Sequence, residues 1–285
     1  MIMSLAEQYE LIDFGSGRKL ERFGSYVLDR PCPAAEKHAR SHDELWKSAD
    51  GDFRRSADGS GRWTLSDAMP ETWTMTCDIG KLELKPSDSG QIGLFPEQAD
   101  NWRWISKQIH AAKRRLKVLN LFAYTGAATI AAARAGAEVS HVDAARASVD
   151  RARRNALLSG LSDRPIHWLV EDARKFVRRE VRRGQRYDAV ILDPPSYGHG
   201  PKGEAWKINN DLLPLLELCA ELTEARRAFV LLTCHSPGFG PAELQAYLSS
   251  VFIGHCQGGV TTKRLFLRTN DGRKLQSGVV ARWPN

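Results

Sequence analysis

The sequence has no apolar run approaching the roughly 20 residues needed to cross a bilayer, and 26% of its 285 residues are charged. No membrane partner is expected. From Met1 to Phe14, Glu7, Gln8, Glu10 and Asp13 are set among the apolar residues, so the basic start and apolar centre of a secretory signal are missing. A soluble, cytoplasmic protein is the expectation. Cysteine is scarce and scattered: Cys32, Cys77, Cys219, Cys234 and Cys256 make an odd count, with no Cys-x-x-Cys pair and no histidine at a ligand-like offset. That argues against both a disulfide framework and a zinc site, and no metal is expected.

What is present is an ordinary globular composition, 42% hydrophobic, with a net charge of +7. The length suits a main domain with an appendage. The positive balance favours a polyanionic partner such as nucleic acid. A monomer and a homodimer are equally compatible with the sequence.

Residues 1–95 read as a small β-rich domain, because short aromatic and β-branched runs alternate with Gly, Asp, Ser and Pro clusters. The predicted strands are Tyr9–Asp13, Arg62–Leu65, Thr72–Cys77 and Lys81–Leu84, with loops at 31–33 and 49–61. Trp46, Trp63 and Trp73 suit either the core of this domain or a base-stacking surface, and the usual burial of tryptophan favours the core.

Residues 96–285 read as an α/β domain with a parallel sheet. Pro96 is suited to open a helix carrying Trp102, Ile105 and Ile109 on one face. Apolar strands then alternate with amphipathic helices. Strands are predicted at 118–122, 138–142, 166–170, 188–192 and 228–232, and helices at 127–134, 146–158, 173–183, 208–222 and 242–250. A hairpin of 263–268 and 276–283 closes the chain across Thr269-Asn-Asp-Gly-Arg273.

In such sheets ligands bind beyond the carboxyl ends of the strands. After the first strand, Ala123-Tyr-Thr-Gly126 offers one glycine for close backbone approach but lacks the Gly-x-Gly-x-x-Gly that cradles a pyrophosphate. A phosphate-free adenosyl ligand fits that loop better than a dinucleotide. Asp143, 17 positions beyond Gly126, ends the second strand and suits two ribose hydroxyls. Glu171-Asp172 follows the third strand, where Asp172 suits either an adenine amino group or the cap of the next helix. Asp193-Pro194-Pro195-Ser196-Tyr197 ends the fourth strand, its prolines stiffening a row of acceptors suited to the amino edge of a planar base. Thr233-Cys-His-Ser-Pro237 follows the fifth strand. Cys234 there is either a nucleophile able to attack C6 of a pyrimidine or a small buried hydrophobe. Arg174, Arg178 and Arg182 recur at helical spacing as an outer stripe, either solvated or phosphate-binding. Residues 197–207, rich in glycine and charge, read as a mobile loop over the cleft.

Asn120-Leu-Phe-Ala-Tyr-Thr-Gly126, His141-Val-Asp143, Glu171-Asp-Ala173 and Asp193-Pro-Pro-Ser196 together resemble class I S-adenosylmethionine-dependent methyltransferases. With Gly93-x-Phe95-x-x-Gln98-x-x-Asn101, they are more closely similar to the large-subunit ribosomal RNA methyltransferases acting on cytosine C5 or guanine N7. The resemblance covers roughly residues 80–285. It implies a Rossmann-like sheet with an antiparallel last strand, S-adenosyl-L-methionine as cofactor and RNA as substrate. It also implies cofactor contacts from Phe95, Gln98, Asn120, Phe122, Tyr124, Thr125, Gly126, Asp143, Ala144, Glu171, Asp172, Ala173 and Asp193. Asp193, Pro194, Tyr197 and Cys234 would surround the acceptor, with Cys234 the nucleophile if that acceptor is cytosine C5. Nitrogen methylation of a base, protein side chain or small molecule is the alternative, because Asp193-Pro-Pro-Ser-Tyr197 is also similar to the motif of amino-directed enzymes. A non-catalytic RNA-binding protein is the alternative outside enzymology.

Overall fold

A computed structural model describes residues 5–56, 61–252 and 259–284. Cys256 and residues 57–60 of the predicted 49–61 loop lie outside them. Contacts divide the chain into two compact units, Met1–Ala99 with Phe266–Ser277 and Asp100–Leu265 with Gly278–Asn285. The hairpin tip, read from sequence as part of the second domain, thus belongs by its contacts to the first unit.

The first unit contains α1 (Leu5–Gln8), β1 (Tyr9–Gly15), β2 (Arg18–Phe23), β3 (Tyr26–Pro31), α2 (Asp43–Trp46), β4 (Gly51–Arg55), β5 (Gly61–Leu65), β6 (Trp73–Cys77) and β7 (Gly80–Leu84). β1 to β5 form one sheet in sequence order, and β6 and β7 pair separately. Leu11, Phe14, Leu20, Phe23, Leu28, Phe53 and Met75 are buried in it. Trp46 and Trp73 are buried too. Their ring N–H groups donate to Asp13 Oδ2 at 2.9 Å and to the Phe23 carbonyl at 3.1 Å. Half-buried Trp63 packs on Phe53 and donates to the Ser87 carbonyl. These rings are structural.

The predicted loop 49–61 contains a strand instead. β4 runs parallel to β3 and antiparallel to β5. Gly51 permits the approach, since a Cβ there would stand 2.9 Å from Leu28 Cδ2. Asp52, Arg54 and Arg55 hide this strand from a reading based on apolar alternation.

The second unit holds α3 (Ala99–Ala111, apart from its first residue), β8 (Lys117–Leu121), α4 (Ala127–Arg134), β9 (Glu138–Asp143), α5 (Arg146–Leu158), β10 (Ile166–Val170), α6 (Ala173–Arg182) and β11 (Ala189–Leu192). It continues with β12 (Tyr197–His199), β13 (Ala205–Lys207), α7 (Ile208–Thr223), β14 (Phe229–Cys234) and α8 (Pro241–Phe252). β15 (Thr261–Arg268) and β16 (Lys274–Trp283) complete the sheet, whose order is β10-β9-β8-β11-β14-β16-β15. β8, β9, β10, β11 and β14 are parallel, while β16 runs antiparallel to β14. The Rossmann-like order expected from the sequence is present. Its buried strands supply a core with Leu119, Leu121, Val190, Leu192, Val230 and Leu232, covered by Phe176 and Val177 of α6 and by Leu212, Leu215 and Leu216 of α7.

Residues 197–207 are a short hairpin rather than the predicted mobile loop. β12 pairs with β13, Trp206 is buried, and its indole N–H donates to the Pro195 carbonyl at 2.7 Å. Three-residue strands are too short to show a period, so the glycines dominated the sequence pattern.

Candidate active site

The chain steps from β8 outward to β9 and β10, then crosses back to β11 and β14 on the other side. The strand order reverses between β8 and β11, the place where open α/β sheets bind ligands. Leu121 pairs with Leu192 and Leu192 with Leu232. Phe122, Asp193 and Thr233 therefore follow directly at the carboxyl ends of three adjoining strands.

The loop after β8 is wound tightly. Phe122, Tyr124 and Gly126 have φ of 55°, 50° and 88°, and positive φ in non-glycine residues is a strain that clusters at ligand clamps. Gly126 is required twice over, because a Cβ would also stand 2.9 Å from the Ala152 Cβ of α5. Gly126→Ala is expected to cost ~2 kcal/mol or more. A denaturant midpoint equal to wild type would refute the claim.

Support for this loop comes from below. Asn155 of α5 donates to the Thr125 carbonyl at 2.9 Å, and Asn120 donates its amide to Thr129 Oγ1 at 2.9 Å. The Thr129 hydroxyl pairs with His141 Nδ1, also at 2.9 Å. Burial depresses the His141 pKa to about 3, so the ring is neutral. Asn120 thus spends its side chain inside the sheet. Thr129, His141 and Asn155 were not singled out for the site in the sequence; the available signal was a polar residue on a face otherwise committed to the core.

Asp143 ends β9 with one oxygen accepting from the Tyr124 amide at 2.8 Å and the other from the Ala145 amide at 2.9 Å. Burial raises its carboxyl pKa against these two hydrogen bonds. Each oxygen retains capacity for a further donor, and a vicinal diol presents two. Ala144 beside it is half-buried. Asp172 caps α6, accepting from the Lys175 amide at 3.0 Å, and its carboxylate also pairs with Arg174. Ala173 is buried in the first turn of α6, while Glu171 pairs with Arg179 at 2.5 Å. Phe95 and Gln98 lie in the first unit, where Gln98 closes a short 3-10 turn begun at Pro96.

On the acceptor side, Thr233 donates to Asp193 Oδ1 at 2.6 Å and His235 Nε2 lies 3.5 Å from the same oxygen. Pro194 is buried, whereas Tyr197 is 55% exposed with its hydroxyl paired to His199 Nε2 at 2.9 Å. Cys234 is only 1% exposed, and its Sγ accepts from the Ser236 amide at 3.4 Å. Burial, with Asp193 adding to it, pushes the thiol pKa up, so the resting group is the thiol. The arginine stripe is split: Arg174 turns inward to Asp172 and Asp211, leaving Arg178 and Arg182 exposed.

Residues 46–246 match the family model of the S-adenosylmethionine-dependent methyltransferases. The chain belongs to that family. Its structure is similar to that of the SAM-dependent methyltransferase from Agrobacterium tumefaciens, 37% identical, with a TM-score of 0.91 over 97% of this chain and 90% of that one. Among curated proteins it is similar to the ribosomal RNA large subunit methyltransferase I of Aeromonas salmonicida (strain A449), 39% identical over 108 residues, 38% of this chain and 26% of the relative. A second such relative, from Erwinia tasmaniensis, is 33% identical over 134 residues, 47% of this chain and 33% of its own length. The matched stretch therefore spans about a quarter to a third of these curated relatives.

The methyltransferase takes S-adenosylmethionine as its cofactor. The loop of residues 122–126 and the two-oxygen acceptor at Asp143 suit that ligand, which carries an amino acid and a ribose diol but no phosphate. No helix among the described residues is long and apolar enough to cross a membrane.

Proposed function

We propose that this methyltransferase modifies a base of ribosomal RNA, with cytosine C5 as the acceptor atom. One juxtaposition carries the reading: Asp193 and Cys234 end adjacent strands at the switch point, beside the wound loop after β8. The names of the two curated relatives and the net charge of +7 favour RNA as the carrier of the base.

The bound cofactor supplies a methyl group on a sulfonium, an electrophile that C5 of a resting cytosine attacks poorly. The Cys234 thiolate bonds to C6, which makes C5 carbanion-like and able to take the methyl. The C5 proton then passes to solvent, the electrons of its C–H bond restore the double bond between C5 and C6, and the Cys234 thiolate leaves C6. Thr233 and His235 hold Asp193 in one orientation, from which it accepts the exocyclic amino group of the base. Burial holds resting Cys234 as the thiol, whose proton passes to solvent before the sulfur attacks C6. Phe122, Tyr124 and Gly126 flank the methionine end of the cofactor. Asp143 with Ala144 holds the ribose, and Glu171, Asp172 and Ala173 border the adenine. Asn120 and Thr125 brace the loop.

Mass spectrometry of large-subunit ribosomal RNA nucleosides from cells lacking the gene tests this. The expected result is loss of 5-methylcytidine at one position, and an unchanged nucleoside profile would overturn the proposal. Loss of an N-methylated nucleoside would support the second reading, which has its own observation in its favour. Cys234 is buried as a thiol, while exposed Tyr197 stands beside Asp193-Pro-Pro as a ring on which a base can stack.

A further inference from the structure

α6 presents Lys175, Arg178, Arg179 and Arg182 at spacings of three, one and three residues, which puts all four on one side of the helix. They line an open groove of about 610 Å³, floored by Val181 and by Leu218 of α7, with Glu171 as its single lining carboxylate. Two of the cations are engaged: Arg179 pairs with Glu171, and Lys175 pairs with Glu204 of the turn between β12 and β13. Arg178 and Arg182 are exposed and make no hydrogen bond or ion pair among the described residues, although the Arg178 charge acts at longer range on the Asp211 carboxylate that Arg174 already pairs. The groove therefore carries a surplus of about two positive charges over an apolar floor.

Its position ties it to the acceptor end of the sheet. Lys175 reaches the hairpin that begins at Tyr197, immediately after Asp193-Pro-Pro-Ser. Gly200 of the same hairpin lies so close to α6 that a Cβ there would stand 3.1 Å from the Asp172 Cβ. From Lys175 to Arg182 the cations extend along α6 for about 10 Å, leading away from that rim.

We infer that this groove between α6 and α7 binds the sugar-phosphate backbone of single-stranded RNA flanking the base to be methylated. Arginine forks suit phosphate oxygens, while Val181 and Leu218 suit the apolar faces of ribose and base. The inference rests on the RNA reading above, and goes beyond it in assigning the surface. A solvated basic face would be convex and indifferent to which of its charges is removed.

The test measures binding of a fluorescent single-stranded RNA oligonucleotide across a salt series, using the full chain with S-adenosylmethionine. Arg178→Ala/Arg182→Ala is expected to weaken binding about tenfold at physiological salt. It should also flatten the slope of log affinity against log salt by about 1.4, two phosphate contacts at ~0.7 each. The double variant Lys107→Ala/Arg115→Ala removes the same charge from exposed positions elsewhere in the unit and should leave affinity within twofold. Unchanged cofactor affinity in both variants shows that the fold is intact. If wild type binds no RNA, the RNA reading itself fails. If wild type binds RNA and the α6 variant matches it in affinity and slope, the groove is overturned and the reading survives. Equal losses in the two variants would also overturn it, since only net charge would then matter.

Discussion

Cys234→Ala is expected to lower methyl transfer to large-subunit ribosomal RNA by ~10³-fold or more, the scale at which removal of a covalent nucleophile acts. On the proposed chemistry the lost function is the bond to C6, for which neither Asp193 nor His235 can substitute. Cofactor affinity should be unchanged. The substitution removes one buried sulfur, whose polar partners are the amide and side chain of Ser236, so the fold should survive it. Cys234→Ser should fail as well, because a buried hydroxyl is a far weaker nucleophile. The assay is tritium transfer from labelled S-adenosylmethionine, with calorimetry reporting cofactor binding. Full activity in the alanine variant would rule out C5 chemistry and leave nitrogen methylation through Asp193-Pro-Pro-Ser-Tyr197.

Asp143→Ala should weaken S-adenosylmethionine binding by ~100-fold or more. Two hydrogen bonds from the ribose to a charged acceptor are lost, each worth ~1.5–3 kcal/mol. A second loss adds to the first: the Tyr124 and Ala145 amides, which now converge on the carboxylate, are left without it. Tyr124 lies in the wound loop, so the ligand also loses a preorganised wall. Asp143→Asn should fall between the two, since its carbonyl oxygen still serves one amide while its NH₂ opposes the other. Calorimetric titration decides, and an Asp143→Ala variant that binds as tightly as wild type would sink the assignment.

The parts of the fold legible in the sequence are those whose burial is decided locally. α4 and α5 begin and end as predicted, at Ala127–Arg134 and Arg146–Leu158, because each carries its own apolar face. β2 and β3 were invisible for the opposite reason. Glu21 in β2 is fully buried, yet its charge is met by Arg30 of β3 at 2.5 Å and by Lys19 at 3.0 Å. No pattern within Arg18-Lys-Leu-Glu-Arg-Phe23 announces a buried strand, since Arg30, the buried partner that joins Lys19 in making burial of Glu21 tolerable, lies on another strand. The site divides the same way. Asp143 and Asp193 declare themselves by ending apolar runs, whereas the Asn120–Thr129–His141 chain joins two strands and a helix and exists only once they have met.

The order in which the sheet is completed has a kinetic consequence. β16 lies between β14 and β15 although it follows both in sequence. Until residues 274–283 arrive, the β14 edge has only one neighbour, and its run Phe229-Val-Leu-Leu-Thr-Cys234 is buried along its whole length in the finished structure. During synthesis that open, apolar edge is the part of the chain most ready to pair with another molecule. Closing it pairs Val230 with Trp283 and Cys234 with Val279 across α8 and β15, a non-local contact of the slow kind that prolongs the time the nascent enzyme stays prone to aggregation.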